Sequence, residues 1–298
     1  MVRAVPGGRL SADLVLFFTN LVYGTSYVAA RATLDAVPPA TLALMRCVLA
    51  TVLLGALLRR YPFTQPLTRG DHARLAAMGV LGFGAAFALS HSGLVRSTAS
   101  NGALLMVVEP IAIMVLAPLM LGEALRRREG VGAALALAGT VVVVLNGIPG
   151  MTPVVPHWRG DLLLIASGLA YGAYSLIGRD VLRRHPPLPV TAVSVMWGTA
   201  SLAPLAALEW WSGQRPALGP WPLAGVFYLG FVITGLMYLT WNWALERVPA
   251  PRAAVFLNVQ PVAGALLGVL VLGEALTVFM AIGGAMTVGG LWLTARTD

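Results

Sequence analysis

The stretch VVEPIAIMVLAPLMLGEALRRREGVGAALALAGTVVVVL, residues 107–145, decides how the rest of this chain is read. It holds two apolar runs joined by a Gly-Glu turn, with a glutamate and a proline midway along the first. The design returns in VQPVAGALLGVLVLGEALTVFMAIGGAMTVGGLWL, residues 259–293. Placing Glu109-Pro110 over Gln260-Pro261 sets a shift of 260 − 109 = 151. The same gapless shift lays Gly122-Glu123-Ala124-Leu125 on Gly273-Glu274-Ala275-Leu276, Gly132 on Gly283 and Gly139 on Gly290. One register that catches so many glycines is an internal repeat, which constrains the fold before any single motif does.

Outward from this stretch, the composition excludes a soluble globule. Of 298 residues, 58% are hydrophobic and only 11% are charged, and the mean hydropathy is +0.80. Soluble domains average about a quarter charged residues. Apolar segments of bilayer-crossing length recur down the chain, and the alternation of a membrane barrel is absent. The pattern predicts an all-α polytopic membrane protein with spans at 11–31, 39–58, 74–94, 98–121, 129–147, 161–178, 189–208, 222–244, 250–272 and 276–294. The first apolar run reaches full spanning length, so no cleavable signal is expected. Cys47 is the single cysteine, which rules out an intrachain disulfide and suits a lipid- or core-facing thiol.

The two halves also match at their starts. ADLVLFFTNLVYGTSYVAAR (12–31) aligns with GDLLLIASGLAYGAYSLIGR (160–179), and Asp13/Asp161, Tyr23/Tyr171, Gly24/Gly172 and Arg31/Arg179 are all 148 apart. Leu81-Gly82-Phe83 and Leu229-Gly230-Phe231 keep that spacing, so the step to 151 implies a three-residue insertion near the end of the eighth span. The domains expected are residues 1–147 and 161–298, each of five helices, with a Gly/Pro-rich linker at 148–160. An odd number of spans per half inverts the second half relative to the first. Such inverted repeats enclose a midplane site in many secondary transporters.

All 20 basic residues are arginine, and they lie mostly in short loops, which argues against nucleic-acid binding despite the +8 charge. With the N-terminus inside, 15 arginines (at 3, 9, 59, 60, 69, 74, 126, 127, 128, 179, 183, 184, 247, 252 and 296) fall on the cytoplasmic side. Arg31, Arg96, Arg159 and Arg215 fall outside. The positive-inside rule therefore places both termini in the cytoplasm.

At this point the chain resembles a known family. LVRSTASNGALLMVVEP (94–110), LGEAL at 121–125 and 272–276, and the paired starts YGTSYVAAR and YGAYSLIGR resemble the EamA-type transporters of the drug/metabolite transporter superfamily. The resemblance covers almost the whole chain. It implies ten helices around a central cavity and export of small metabolites, amino acids among them. Many family members carry Trp-Gly in the first span where this chain has Tyr23-Gly24, which leaves substrate preference open.

Candidate site residues follow from the cost of polarity in a bilayer. Glu109 lies mid-span, where a charge costs a few kcal/mol or more and is retained for a use. It suits proton coupling or recognition of a substrate ammonium; pairing with Arg46, or service to the backbone loosened by Pro110, is the bland alternative. Arg46, two turns inside the second span, suits a substrate carboxylate, neutralisation of Glu109, or outward snorkelling. Gln260 is the uncharged repeat partner of Glu109, which makes the site asymmetric. Asn20, Tyr23 and Tyr27 share one face of the first span, and Ser167, Tyr171 and Tyr174 share one face of the sixth. Matching polar stripes suggest a cavity wall, with interhelical hydrogen bonding as the alternative. Pro110 and Pro261 are helix breaks that serve transport or plain packing.

Other features read as architecture. Trp241, Asn242 and Trp243 sit near the end of the eighth span, where interfacial anchoring suits the two tryptophans, and His91 suits a structural hydrogen bond. Glu123 and Glu274 each open a helix after a glycine, where a negative charge complements the dipole. The rows Gly264/Gly268 and Ala281/Ala285/Gly289 suit close helix packing in the bundle or at a dimer face.

The function expected is a secondary transporter exporting small metabolites, such as amino acids or related compounds, across a bacterial inner membrane by alternating access. A passive facilitator or channel of the same fold stays open. An integral membrane enzyme fits less well, because the four histidines are scattered and no paired-aspartate motif occurs. The partners expected are a small-molecule substrate, the lipid bilayer and protons as candidate coupling ion, in a monomer or homodimer. No metal, cofactor or nucleic acid is called for.

Overall fold

The structure, a computed structural model, describes residues 8–112, 127–145, 157–247, 256–257 and 259–295. Among them every regular element is a helix and no strand occurs. The helices are α1 (Gly8–Leu34), α2 (Pro39–Arg60), α3 (Arg69–Leu94), α4 (Ala99–Ala112) and α5 (Arg127–Leu145). They continue as α6 (Trp158–Leu182), α7 (Pro187–Trp211), α8 (Pro220–Ala244, helical on to Arg247), α9 (Val259–Leu272) and α10 (Val278–Ala295). Five of these, α2, α3, α6, α7 and α8, are long and apolar enough to cross a membrane; α4, α5, α9 and α10 contain shorter apolar helices. Helix α6 starts at Trp158, inside the expected linker; the rest of that linker, Glu123 and the end of the fourth span lie outside the described residues.

Local sequence explains the helix starts. Helices α2, α7 and α8 begin on Pro39, Pro187 and Pro220, where a missing N–H is harmless. Helix α3 begins with a capping box. Thr68 Oγ1 accepts from the Asp71 amide at 3.1 Å, and an Asp71 carboxylate oxygen accepts from the Thr68 amide at 3.0 Å.

Two helices widen midway into π-helix: Gly79–Ala85 in α3 and Tyr228–Met237 in α8. Both contain the Leu-Gly-Phe triplet that recurs 148 positions apart. Helix α4 tightens instead. Pro110 has no N–H to give the Met106 carbonyl, and that carbonyl accepts the Glu109 amide at 3.0 Å, a three-residue step. Pro261 is the third residue of α9, within its first turn.

Helix α5 packs along α10, α2 along α7, and α4 along α9; α1 and α6 pack beside α9 and α3. Close approach decides the α5–α10 crossing. A Cβ on Gly139 would lie 2.6 Å from the Gly283 carbonyl, and one on Gly283 would lie 2.7 Å from the Gly139 carbonyl. A Cβ on Gly290 would lie 2.5 Å from the Gly132 carbonyl. Between α2 and α7, Thr51 and Thr199 share a hydrogen bond of 2.9 Å although they are 148 positions apart. Gly264 and Gly268 face α4 across Ala103 and Ser100, inside the bundle, whereas Ala281 and Ala285 face outward. The outer surface carries large apolar side chains, with Trp211 and Trp221 nearly fully exposed at the ends of α7 and α8, as suits an aromatic belt.

Most of the buried core falls in two large clusters. One gathers Tyr27, Leu42, Leu94, Leu105, Leu229 and Ile233; the other gathers Cys47, Phe83, Phe87, Tyr171, Tyr174 and Leu202. Residues of both line the cavity between them. Cys47 is fully buried, so its thiol faces the core rather than lipid.

Candidate functional site

A cavity of about 70 Å³ opens between α1, α2, α3, α4, α6, α8 and α9. Tyr23 and Tyr27 of α1, Arg46 of α2, Glu109 of α4, Tyr171 and Tyr174 of α6, and Gln260 of α9 all line it. Asn20 and Ser167 do not. Asn20 is fully buried behind the wall, accepting from Gln260 Nε2 at 2.6 Å and donating to the Leu16 carbonyl at 2.7 Å. Ser167 donates to the Ala86 carbonyl at 2.9 Å and ties α6 to α3.

Arg46 is 5% exposed and is held on three sides. Its Nε donates to Thr234 Oγ1 at 2.9 Å, and its Nη1 donates to His91 Nε2 at 3.2 Å. The guanidinium carbon lies 4.0 Å from the centre of the Phe87 ring, a cation–π contact that suits a desolvated arginine. His91 Nδ1 lies 3.1 Å from the Pro39 carbonyl. The Pro39 carbonyl can only accept and the guanidinium can only donate. These partners assign the imidazole its neutral Nδ1–H tautomer, with Nε2 as acceptor. The remaining terminal nitrogen, Nη2, makes no hydrogen bond to a described residue.

Thr234 can serve Arg46 because α8 is π-helical there. Its hydroxyl donates to the Leu229 carbonyl, five residues back, at 2.8 Å, and its lone pairs are left for the guanidinium. Glu109 accepts from Ser175 Oγ at 3.3 Å. No ion pair joins Glu109 to Arg46 among the described residues, so one cavity presents a guanidinium and an acid that do not pair with each other. Below Glu109, a smaller void is bounded by Met106, Pro110, Gln260 and Pro261, which brings the repeat-equivalent pair Glu109/Gln260 together.

The rest of the wall is aromatic. Tyr238 stands edge-on to Tyr23 at 5.5 Å and to Tyr174 at 6.4 Å, with Phe83 behind at 5.0 Å. Trp241 also lines the cavity, a correction to the anchoring expected of it; Trp243 lines a separate crevice. Asn242 instead bridges helices by donating to Thr191 Oγ1.

Sequence reasoning missed Ser175, Ser90, Phe87 and Tyr238 as cavity residues and read His91 as architecture alone. Ser175 was within reach, four residues after Tyr171 on the same face. Tyr238 was not, because a preceding π-helical segment shifts the phase of a 3.6-residue pattern.

Ionic contacts close both ends of the bundle. At one end, Glu209 accepts from the Ala40 and Thr41 amides at 2.8 and 2.7 Å and from the Thr41 hydroxyl at 2.8 Å. There too, Glu274 accepts from the Ala99 and Ser100 amides at 2.6 and 2.8 Å. Glu274 thus caps α4 rather than the helix it precedes, which corrects the expectation that it serves its own dipole. Asp161 joins Ser97, Asn101 and His157 at the same end. At the other end, Asp71 pairs with Arg184 at 2.8 Å and with His185 at 3.4 Å, and Arg74 pairs with Asp180 at 3.2 Å.

Comparison with known proteins bears on this arrangement. The EamA-like transporter family matches residues 10–145 and again 158–296. An uncharacterized transporter of Archaeoglobus fulgidus is 27% identical over 282 residues, covering 94% of this chain and 96% of its own. A probable terminal-alkyne amino-acid exporter of Streptantibioticus cattleyicolor is 25% identical over 285 residues, with 94% and 92% covered. A solved crystal structure superposes with a TM-score of 0.65 at 25% identity, covering 96% of both chains.

Proposed function

We propose, on the premise that this chain belongs to the EamA-like transporter family, that it exports small zwitterionic metabolites, amino acids or related compounds. One observation carries the reading. Arg46 and Glu109 line one buried cavity without pairing with each other. Arg46 would take the substrate carboxylate through Nη2, and Glu109 would take the ammonium or a coupled proton. The aromatic wall would hold an apolar side chain. The name of the S. cattleyicolor relative supports an amino-acid substrate.

In this reading ten helices form two inverted halves, 1–147 and 161–298, which rock about the cavity as a secondary transporter. The Thr51–Thr199 bond and the reciprocal glycine contacts of α5 and α10 support it, because repeat-equivalent residues meet as they would across a two-fold axis. The arginine distribution supports a bacterial inner-membrane protein with both termini in the cytoplasm. No catalysis is assigned to the cavity.

The test is flux of labelled amino acids in reconstituted vesicles under an imposed pH gradient. Wild-type protein should move a zwitterionic amino acid, and Arg46→Gln should lose at least tenfold for it. Glu109→Gln should abolish the response to the gradient while the protein still inserts. Equal loss for a cationic amine without a carboxylate would refute the role of Arg46. Flux indifferent to the gradient in wild type would mark a facilitator.

A further inference from the structure

We infer that Glu209 latches the outer end of α2 shut and that His91 ties this latch to Arg46, so that capturing the guanidinium loosens the outer gate. The inference rests on the orientation and cavity reading proposed above.

The first amides of a helix have no partner within it. Those of Ala40 and Thr41, at the start of α2, are both taken by Glu209 from α7. A carboxylate there also meets the positive end of the helix dipole. One residue earlier, the Pro39 carbonyl accepts the Nδ1–H of His91, whose Nε2 accepts from Arg46. An unbroken chain of polar contacts thus runs from the cavity to the outer end of α2. A carboxylate that binds a guanidinium takes its N–H fork in a fixed two-bond geometry. A carboxylate taken end-on, by Nη2 together with Nη1, would draw Nη1 off His91 Nε2, and the imidazole would lose the polarising contact that strengthens its Nδ1–H bond to the Pro39 carbonyl.

The opposite face is fastened differently: there Asp71 pairs with Arg184 and His185, and Arg74 with Asp180, while among the described residues no side chain caps the start of α7. The residue 148 positions before Glu209 is Tyr61, which has no carboxylate. There the end of α2 at Arg60-Tyr61 and the start of α7 at Pro187-Leu188 line one crevice. A carboxylate latch on the start of α2 with no counterpart on the start of α7 would make the two faces differ in opening cost.

The experiment follows opening without any substrate. In a Cys47→Ala background, Ser90→Cys on the cavity wall is labelled with a membrane-impermeant maleimide in right-side-out and inside-out vesicles. Glu209→Ala, which removes three accepted hydrogen bonds, should raise the right-side-out rate at least about tenfold, the scale of one charge-assisted bond, and leave the inside-out rate unraised. Arg46→Gln and His91→Ala should also raise it, and neither should add to Glu209→Ala when combined. Glu209→Gln, which keeps one acceptor oxygen, should fall between and decides the matter should Glu209→Ala not insert. Unchanged right-side-out labelling in both Glu209 variants would overturn the latch, and full additivity would overturn the link through His91. These rates need no substrate, so a wrong substrate class fails in the flux assay alone.

Discussion

At the scale of single residues, the site depends on how Arg46 is aimed. Thr234 takes Nε and the π-helical turn takes the Thr234 proton, so the threonine has no rotational freedom left to lose when substrate binds. Thr234→Val is expected to raise the half-saturating concentration of a carboxylate substrate about tenfold, the effect of a lost hydrogen bond to a charged group, with little change in maximal flux. A concentration series of vesicle flux separates the two. Arg46 and Glu109 were legible in the sequence, since an isolated charge in an apolar span needs a reason. Their keepers were not. Thr234 is 188 positions from Arg46 and His91 is 45 away, and no local pattern announces such a meeting.

At the scale of elements, hydrophobic length marked the helices, and the repeat marked which would correspond. The π-helical segments escaped notice because each still reads as continuous apolar helix. The target of Glu274 escaped for a different reason: dipole logic identifies a favourable helix end but not which helix folds against it. The α5–α10 crossing gives a direct test of packing. Gly139→Val must push a side chain into the Gly283 backbone and should destabilise the protein by about 2 kcal/mol. Gly130→Ala, on the same helix with nothing within 4 Å, should be neutral or stabilise by up to about 1 kcal/mol. Thermal melts in detergent distinguish the pair.

At the scale of the whole molecule, composition alone gave the membrane setting, and the arginine count predicts its orientation. A reporter that fluoresces only in the cytoplasm should be bright when fused after Asp298 and dark when inserted after Gly213, in the turn that follows α7. The reverse pattern would invert the whole assignment. What the sequence could not supply at this scale is how each face is fastened, because on one of them that depends on carboxylates meeting amides 175 and 169 positions away.

The glycine contacts of α5 and α10 carry one more consequence. Gly139 presses on Gly283 and Gly290 presses on Gly132, while Gly132 aligns with Gly283 and Gly139 with Gly290. Each close approach therefore exists in duplicate, and a bulky replacement in one half is met by backbone from the other. The two halves of the gene are not independent texts at these four codons. Enlargement at one can be accommodated only by retreat across the crossing, so divergence of the halves has its slack elsewhere, at positions such as Glu109 and Gln260.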